Sequence, residues 1–102
     1  MEKKLQNDVS QLLAEAGQLA EQGEREKAYQ SSLTATTMAP DEPLAWYLRA
    51  QNAPSTEERL MCFSRAYSLD PDDQVTQEAL RSAVQTLLKQ EPFLAYVYET
   101  EA

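Results

Sequence analysis

The sequence predicts an all-α fold, and three observations support this. Alanine, leucine, glutamate and glutamine are abundant, whereas glycine occurs only at Gly17 and Gly23, so residues that favour helices dominate. Apolar residues recur at spacings of three and four along most of the chain, as on the buried face of an amphipathic helix. Prolines and a glycine divide this pattern into helix-sized segments. With 102 residues, the chain has room for one small domain.

Two helices are predicted in the first part of the chain. The second has Glu24 and Glu26 in its first turn, where the helix dipole favours acidic side chains. It ends at Pro40, because proline cannot continue a helix. The first spans about five turns before Gly23 ends it, and its apolar stripe comprises Leu5, Val9, Leu12, Leu13, Ala16, Leu19 and Ala20.

A third and a fourth helix follow. Pro43 suits the first position of the third helix, where the missing N–H of proline costs nothing. The third helix ends before Pro54. Ser55 and Glu58 have the spacing of a capping box and predict that the fourth helix begins at the residue after Ser55.

The turn between the second and third helices, at Pro40, and the turn between the fourth and fifth, at Pro71, have similar sequences. We call each of these turns, with the helix ends beside it, a corner. After the second corner, Asp72 is expected to cap a fifth helix that ends near Gln90. Superposing Pro40 on Pro71 aligns Glu26 with Glu57, Ala35 with Ala66, Met38 with Leu69, Asp41 with Asp72 and Leu44 with Val75.

This pattern resembles the tetratricopeptide repeat, a helix-turn-helix unit of about 34 residues that stacks on its neighbours. The matching positions are Leu12, Ala16, Leu19, Gly23, Ala28, Ala35 and Pro40 in a first unit, and Trp46, Ala50, Phe63, Ala66 and Pro71 in a second. The resemblance implies antiparallel helix pairs stacked as a short solenoid. It divides residues 1–90 into repeat one (about 9–42), repeat two (about 43–73) and a capping helix (about 74–90), followed by a tail at 91–102.

The second unit departs from the family pattern. It is three residues shorter between its helices, and Arg59 stands where a small residue is usual, so we expect Arg59 to point outward.

Small residues such as Ala50 allow helix backbones to approach closely. We expect Trp46 and Phe63 to fill the space between layers and to be buried.

The residues needed for common catalytic sites are missing. The chain has no histidine and no glycine-rich loop, and its one cysteine, Cys62, is flanked by apolar residues that suggest burial. A calcium loop counted from Asp70 would place Val75 where glycine is needed and Arg81 where a glutamate is needed. We therefore expect no enzymatic activity, no cofactor and no bound metal.

Charge and hydropathy restrict the partners. The net charge of −8 would repel a nucleic-acid backbone, so nucleic acid is not an expected partner. The N-terminal segment lacks the apolar core of a signal peptide, and no stretch approaches the roughly 18 apolar residues of a membrane span. The sequence therefore predicts a cytoplasmic protein whose partner carries a basic or apolar binding segment.

The resemblance implies a groove lined by the first helix of each pair. In this register Leu13 and Gly17 on the first helix, and Leu44, Tyr47 and Gln51 on the third, would face the groove. Tyr47 is the expected anchor for a partner, although a tyrosine that only packs within the protein explains it equally well.

The C-terminal segment is rich in aromatic residues. Phe93, Tyr96 and Tyr98 fall within a few residues, and such a segment needs cover from water. That cover is either the last helices of this chain or a partner, which includes a neighbouring copy.

Taken together, the repeat pattern, the missing catalytic residues and the aromatic segment favour a non-catalytic protein-protein interaction adaptor. The alternative is a structural subunit that self-associates through its helical stack or its tail.

Overall fold

The computed structural model describes residues 2–91 and Phe93. Within them the chain forms five α-helices and no strand, which confirms the all-α prediction. The helix breaks predicted near Gly23, Pro40, Pro54 and Pro71 are confirmed. The helices are α1 (Glu2–Glu21), α2 (Arg25–Met38), α3 (Pro43–Gln51), α4 (Thr56–Leu69) and α5 (Gln74–Gln90).

Side-chain caps explain where α4 and α5 begin. Ser55 accepts a hydrogen bond from the backbone N–H of Glu58 at 3.1 Å, at the predicted start of α4. The carboxylate of Asp73 accepts a hydrogen bond from the N–H of Val75 at 3.2 Å and so caps α5. The expectation that Asp72 caps α5 is therefore wrong by one residue, because Asp73 is the side chain that reaches the free N–H groups of the first turn.

The helices contact one another in chain order. α1 packs on α2, α2 on α3, α3 on α4 and α4 on α5, and α1 also reaches α3. Tyr47 near the middle of α3 packs on Phe63, whereas Gln51 at its end lies against Arg59. Later residues of α3 therefore contact earlier residues of α4, which confirms the predicted antiparallel packing of these two helices.

The corner that is duplicated in the sequence is also duplicated in the structure. α4 and α5 begin 31 residues after α2 and α3, respectively. Each corner has an acidic N-cap, Glu42 or Asp73, that accepts a hydrogen bond from the N–H two residues later. A side chain of the following helix also binds the proline carbonyl: Trp46 Nε1 donates to Pro40 O at 2.8 Å, and Gln77 Nε2 donates to Pro71 O at 2.7 Å.

Small side chains fill the seams between the helices. The largest side chains that are fully buried are Cys62 and Ser32, and Phe63 is the one buried aromatic residue in the described part of the chain. Small residues allow the backbones to approach closely, so they set the helix spacing. The buried alanines are Ala16, Ala28, Ala35, Ala45, Ala50, Ala53, Ala66 and Ala83.

The predicted burial of Phe63 is confirmed, whereas the predicted burial of Trp46 is wrong. The indole ring of Trp46 is half-buried and packs against the cluster formed by Ala50, Cys62, Phe63 and Ala83. Its N–H donates to the Pro40 carbonyl in a surface corner. This hydrogen bond keeps the polar edge of the ring at the boundary with solvent, so Trp46 joins the core to the corner.

Gly23 and Gly17 are expected to respond oppositely to substitution by alanine. Gly23 has φ of +80°, a conformation that costs other residues about 1–2 kcal/mol. Gly17 lies within α1, and a Cβ added there would meet no atom within 4 Å. Gly17→Ala should therefore raise the free energy of unfolding by about 0.5–1 kcal/mol, and Gly23→Ala should lower it by about 1 kcal/mol. Urea denaturation of both variants checks this, and changes of the same sign would contradict it.

Candidate functional site

A polar cluster between α2, α3 and α4 fixes the position of α3. Arg49 Nε lies 3.2 Å from Glu58 Oε2, and their side chains are only 17% and 21% exposed. The hydroxyl of Tyr29 donates to the same Glu58 oxygen at 2.6 Å. Arg49 Nη1 donates to Thr36 Oγ1 at 3.3 Å. Arg49 and Glu58 together therefore join three helices by charge-assisted hydrogen bonds, which are stronger than neutral ones.

Two aromatic residues of α3 lie beside this cluster: Trp46 contacts Arg49, and Tyr47 contacts Phe63 on α4. The Arg49 guanidinium lies 5.2 Å from the centroid of the Trp46 ring, within the range of a cation–π interaction. The Tyr47 ring packs edge to face on Phe63 with centroids 5.4 Å apart. The Tyr47 hydroxyl accepts a hydrogen bond from Gln51 Nε2 at 3.2 Å. Tyr47 is therefore held in a defined position while it stays partly exposed.

Tyr47 lies at the meeting point of three adjoining hollows, which together form a groove between α3 and α5. We call this the α3–α5 groove. Part of α4 forms its floor, since Phe63 lines the hollow nearest the end of α3. The residues that define the groove are Leu44, Tyr47 and Gln51 from α3, Phe63 from α4, and Val75, Ala79 and Ser82 from α5.

The structure places three of the five predicted groove residues together. Leu44, Tyr47 and Gln51 all line the α3–α5 groove. Leu13 and Gly17 lie half-buried on α1, and they do not line the three hollows that meet at Tyr47. The Tyr47 ring packs on Phe63 and also lines the groove. Its role as an anchor for a partner stays a prediction.

The groove residues on α5, which are Val75, Ala79 and Ser82, are not predicted from the sequence. Val75 is 61% exposed and lies across the groove from Leu44, which is 48% exposed. The duplicated corner carried the signal for this pairing, since Leu44 and Val75 are equivalent positions in the two corners. The repeat therefore brings two equivalent apolar side chains to one hollow.

The prediction that Arg59 points outward is wrong. It lines the groove beside Tyr47, Gln51 and Phe63. Its Nε is buried and has no hydrogen-bond partner in the described part of the chain, while Nη2 lies 3.5 Å from the Gln51 carbonyl oxygen. The position that usually carries a small residue is therefore filled here by the stem of an arginine, because the hollow between α3, α4 and α5 has room for it.

Charges differ between the two ends of the α3–α5 groove. Glu42, Asp70 and Asp73 line the hollow around Leu44 and Val75, and Glu78 lines the adjoining one. Among the residues that the structure describes, no basic side chain lines either of these two hollows. Arg59 lines the third hollow, at the opposite end of α3.

Of the predicted tail residues, only Phe93 is described. Its side chain is 73% exposed. Tyr96 and Tyr98 lie outside the described residues.

Cys62 is fully buried, as predicted. Burial raises the pKa of its thiol from 9.0 to about 11, which the nearby Arg49 opposes in part. A thiol needs its deprotonated form to act as a nucleophile. Cys62 is therefore a packing residue at neutral pH.

Comparisons of this chain with protein-family models, curated proteins and solved structures find no match. Among residues 2–91 and Phe93, no three acidic, cysteine or histidine side chains come together as metal ligands. No helix in this part of the chain combines the length and apolar character needed to cross a membrane.

Cys62 is expected to react slowly in the folded protein. The higher pKa alone lowers its thiolate fraction at pH 8 by up to about 100-fold, and burial blocks access as well. A thiol-reactive chromogenic disulfide should therefore label the native chain at least about 50 times more slowly than the urea-unfolded chain. Equal rates would contradict the burial of this thiol.

Alkaline pH should destabilise the fold through Cys62. Its pKa is higher in the folded state than the value of 9.0 for an exposed thiol, so the unfolded chain loses this proton first. The free energy of unfolding is therefore unaffected by Cys62 below pH 9 and falls as the pH rises from 9 towards 11. Cys62→Ala should make this alkaline loss smaller in urea titrations, and an unchanged slope would contradict the assignment.

Proposed function

We propose that this chain is a non-catalytic protein-protein interaction adaptor whose α3–α5 groove holds a segment of a partner protein. The observation that carries the proposal is the pairing of Leu44 and Val75. Both side chains are about half exposed or more, and both lie in one hollow beside Tyr47. Adjacent exposed apolar side chains with a fixed aromatic ring between them are typical of a surface that a partner covers.

The packing order supports an arrangement like that of tetratricopeptide repeats. The 31-residue offset between equivalent helices, the repeated corner hydrogen bonds and the contact between α1 and α3 fit helix pairs that stack side by side. In such a short solenoid α1, α3 and α5 face the partner, and α5 closes the stack. The groove then lies on the concave surface that repeat proteins use for binding.

The chemistry of the groove supports binding rather than catalysis. The chain has no histidine, and its thiol is buried with a raised pKa. The carboxylates of Glu42 and Asp73 cap helices. We place the adaptor in the cytoplasm, where a lone reduced cysteine is ordinary, and we expect its partner to offer a basic or apolar segment.

Selection of peptides on the immobilised chain tests this proposal. Peptides that bind the groove should lose about ten-fold or more in affinity with Leu44→Gln/Val75→Gln, because two apolar contacts are removed. Both residues are exposed, so circular dichroism and urea denaturation should show an unchanged helical fold.

Met61→Gln provides the matched control. Met61 is 52% exposed on α4 and does not line the α3–α5 groove. This variant removes an exposed apolar side chain outside the groove and should bind the selected peptides as the original chain does. Selected peptides whose affinity ignores the Leu44 and Val75 substitutions would contradict the proposal.

Self-association is the second candidate function, and two apolar surfaces favour it. Phe93 is 73% exposed, and a hollow lined by Tyr67, Leu80, Val84 and Leu88 lies between α4 and α5. A neighbouring copy would cover both apolar surfaces. Size-exclusion chromatography with light scattering separates the candidates: a monomer at micromolar concentration favours the adaptor, and a stable dimer or larger assembly favours the structural subunit.

A further inference from the structure

The α3–α5 groove has different chemistry at its two ends, and this difference restricts what binds there. One end combines exposed apolar surface from Leu44 and Val75 with the carboxylates of Glu42, Asp70 and Asp73. A partner residue docked there must bury apolar contacts and also lie among negative charges. Lysine and arginine meet both needs, because their long stems are apolar and their heads are cationic.

The carboxylates at this end carry charge that the protein does not neutralise by its own described ion pairs. Glu42 accepts a hydrogen bond from the N–H of Leu44, and Asp73 accepts from the N–H of Val75 and from the Thr76 hydroxyl. These donors are backbone N–H groups and a hydroxyl, so the hydrogen bonds bring no cationic side chain to Glu42 or Asp73. Within the described part of the chain, the ion pairs join other residues.

Arg59 makes the two ends of the groove opposite in charge. It lies near the end of α3 beside Gln51, whereas the acidic hollow lies at the start of α3 beside Leu44. These two positions on α3 are about 10 Å apart at 1.5 Å per residue. About three residues of an extended peptide span that distance. A basic residue is repelled at the Arg59 end. It is attracted at the Leu44 end, where three carboxylates outweigh the partial positive charge, about half a unit each, of the N-termini of α3 and α5.

We propose that the hollow formed by Leu44, Val75, Glu42, Asp70 and Asp73 is a subsite for a lysine or arginine flanked by apolar residues in the partner segment. This inference rests on the proposed function, since it names the side chain that the same groove selects. The stem of the basic residue lies on Leu44 and Val75, and its head lies among the carboxylates. The segment then runs towards Arg59.

Three blocked nonapeptides test the subsite. They are identical except for a central lysine, norleucine or glutamate placed between two leucines, and each is titrated into the ¹⁵N-labelled full chain. The lysine peptide should shift the amide resonances of Leu44, Tyr47 and Val75 and bind at least about five-fold more tightly than the norleucine peptide. The glutamate peptide should bind most weakly.

Isosteric neutralisation of the subsite should abolish the preference for lysine. Glu42→Gln/Asp70→Asn/Asp73→Asn removes three charges and keeps a side-chain oxygen to cap each helix. The matched control, Asp41→Asn/Asp72→Asn/Glu57→Gln, removes the same charge from exposed acids that do not line this hollow. The control should keep most of the preference, which should also weaken as salt is raised.

The outcomes separate this inference from the proposed function. Equal binding of lysine and norleucine peptides in the groove, or a lysine preference that survives the neutralised variant, would overturn the basic subsite while the groove keeps its binding role. Failure of every peptide to shift the resonances of Leu44, Tyr47 and Val75 would overturn both. Loss of the preference in the subsite variant alone would support both.

Discussion

The position of α3 depends on the partly buried ion pair between Arg49 and Glu58. α3 has only nine residues, and an isolated helix of that length is not stable in water. Arg49 reaches Glu58 on α4 and Thr36 on α2, and Tyr29 on α2 donates to the same Glu58 oxygen. A charged group left without its partner in this environment would be costly. The pair therefore specifies one placement of α3 among its neighbours.

The candidate binding surface follows from that placement. With α3 fixed by Arg49, the next face of the helix directs Tyr47 onto Phe63 and leaves Leu44 beside Val75 of α5. Alanine seams set how closely the helices approach. The gap between α3 and α5 then has an apolar floor, an acidic end and Arg59 at its other end. The proposed adaptor function thus uses the side of α3 that the polar cluster leaves free.

Local signals in the sequence predict the helices well, whereas contacts between helices are predicted less well. Prolines, Gly23 and the Ser55 cap act on their own neighbours, so the helix boundaries follow from short-range rules. The position of Arg59 depends on the space between three helices, which no spacing rule encodes. The half-burial of Trp46 depends on a hydrogen bond to Pro40 O. The duplicated corner is the exception, since its alignment in the sequence pairs Leu44 with Val75, and these two residues share one hollow in the structure.

A double-mutant cycle on Arg49 and Glu58 tests the central claim most directly. Arg49→Met, Glu58→Gln and the double variant are unfolded in urea, and the same cycle on Arg81 and Glu78 is the control, because that pair is 68% and 74% exposed. The buried position predicts a coupling energy above about 1 kcal/mol for Arg49 and Glu58, and about 0.5 kcal/mol or less for the exposed pair. Equal and small couplings in both cycles would contradict the claim that this ion pair fixes α3.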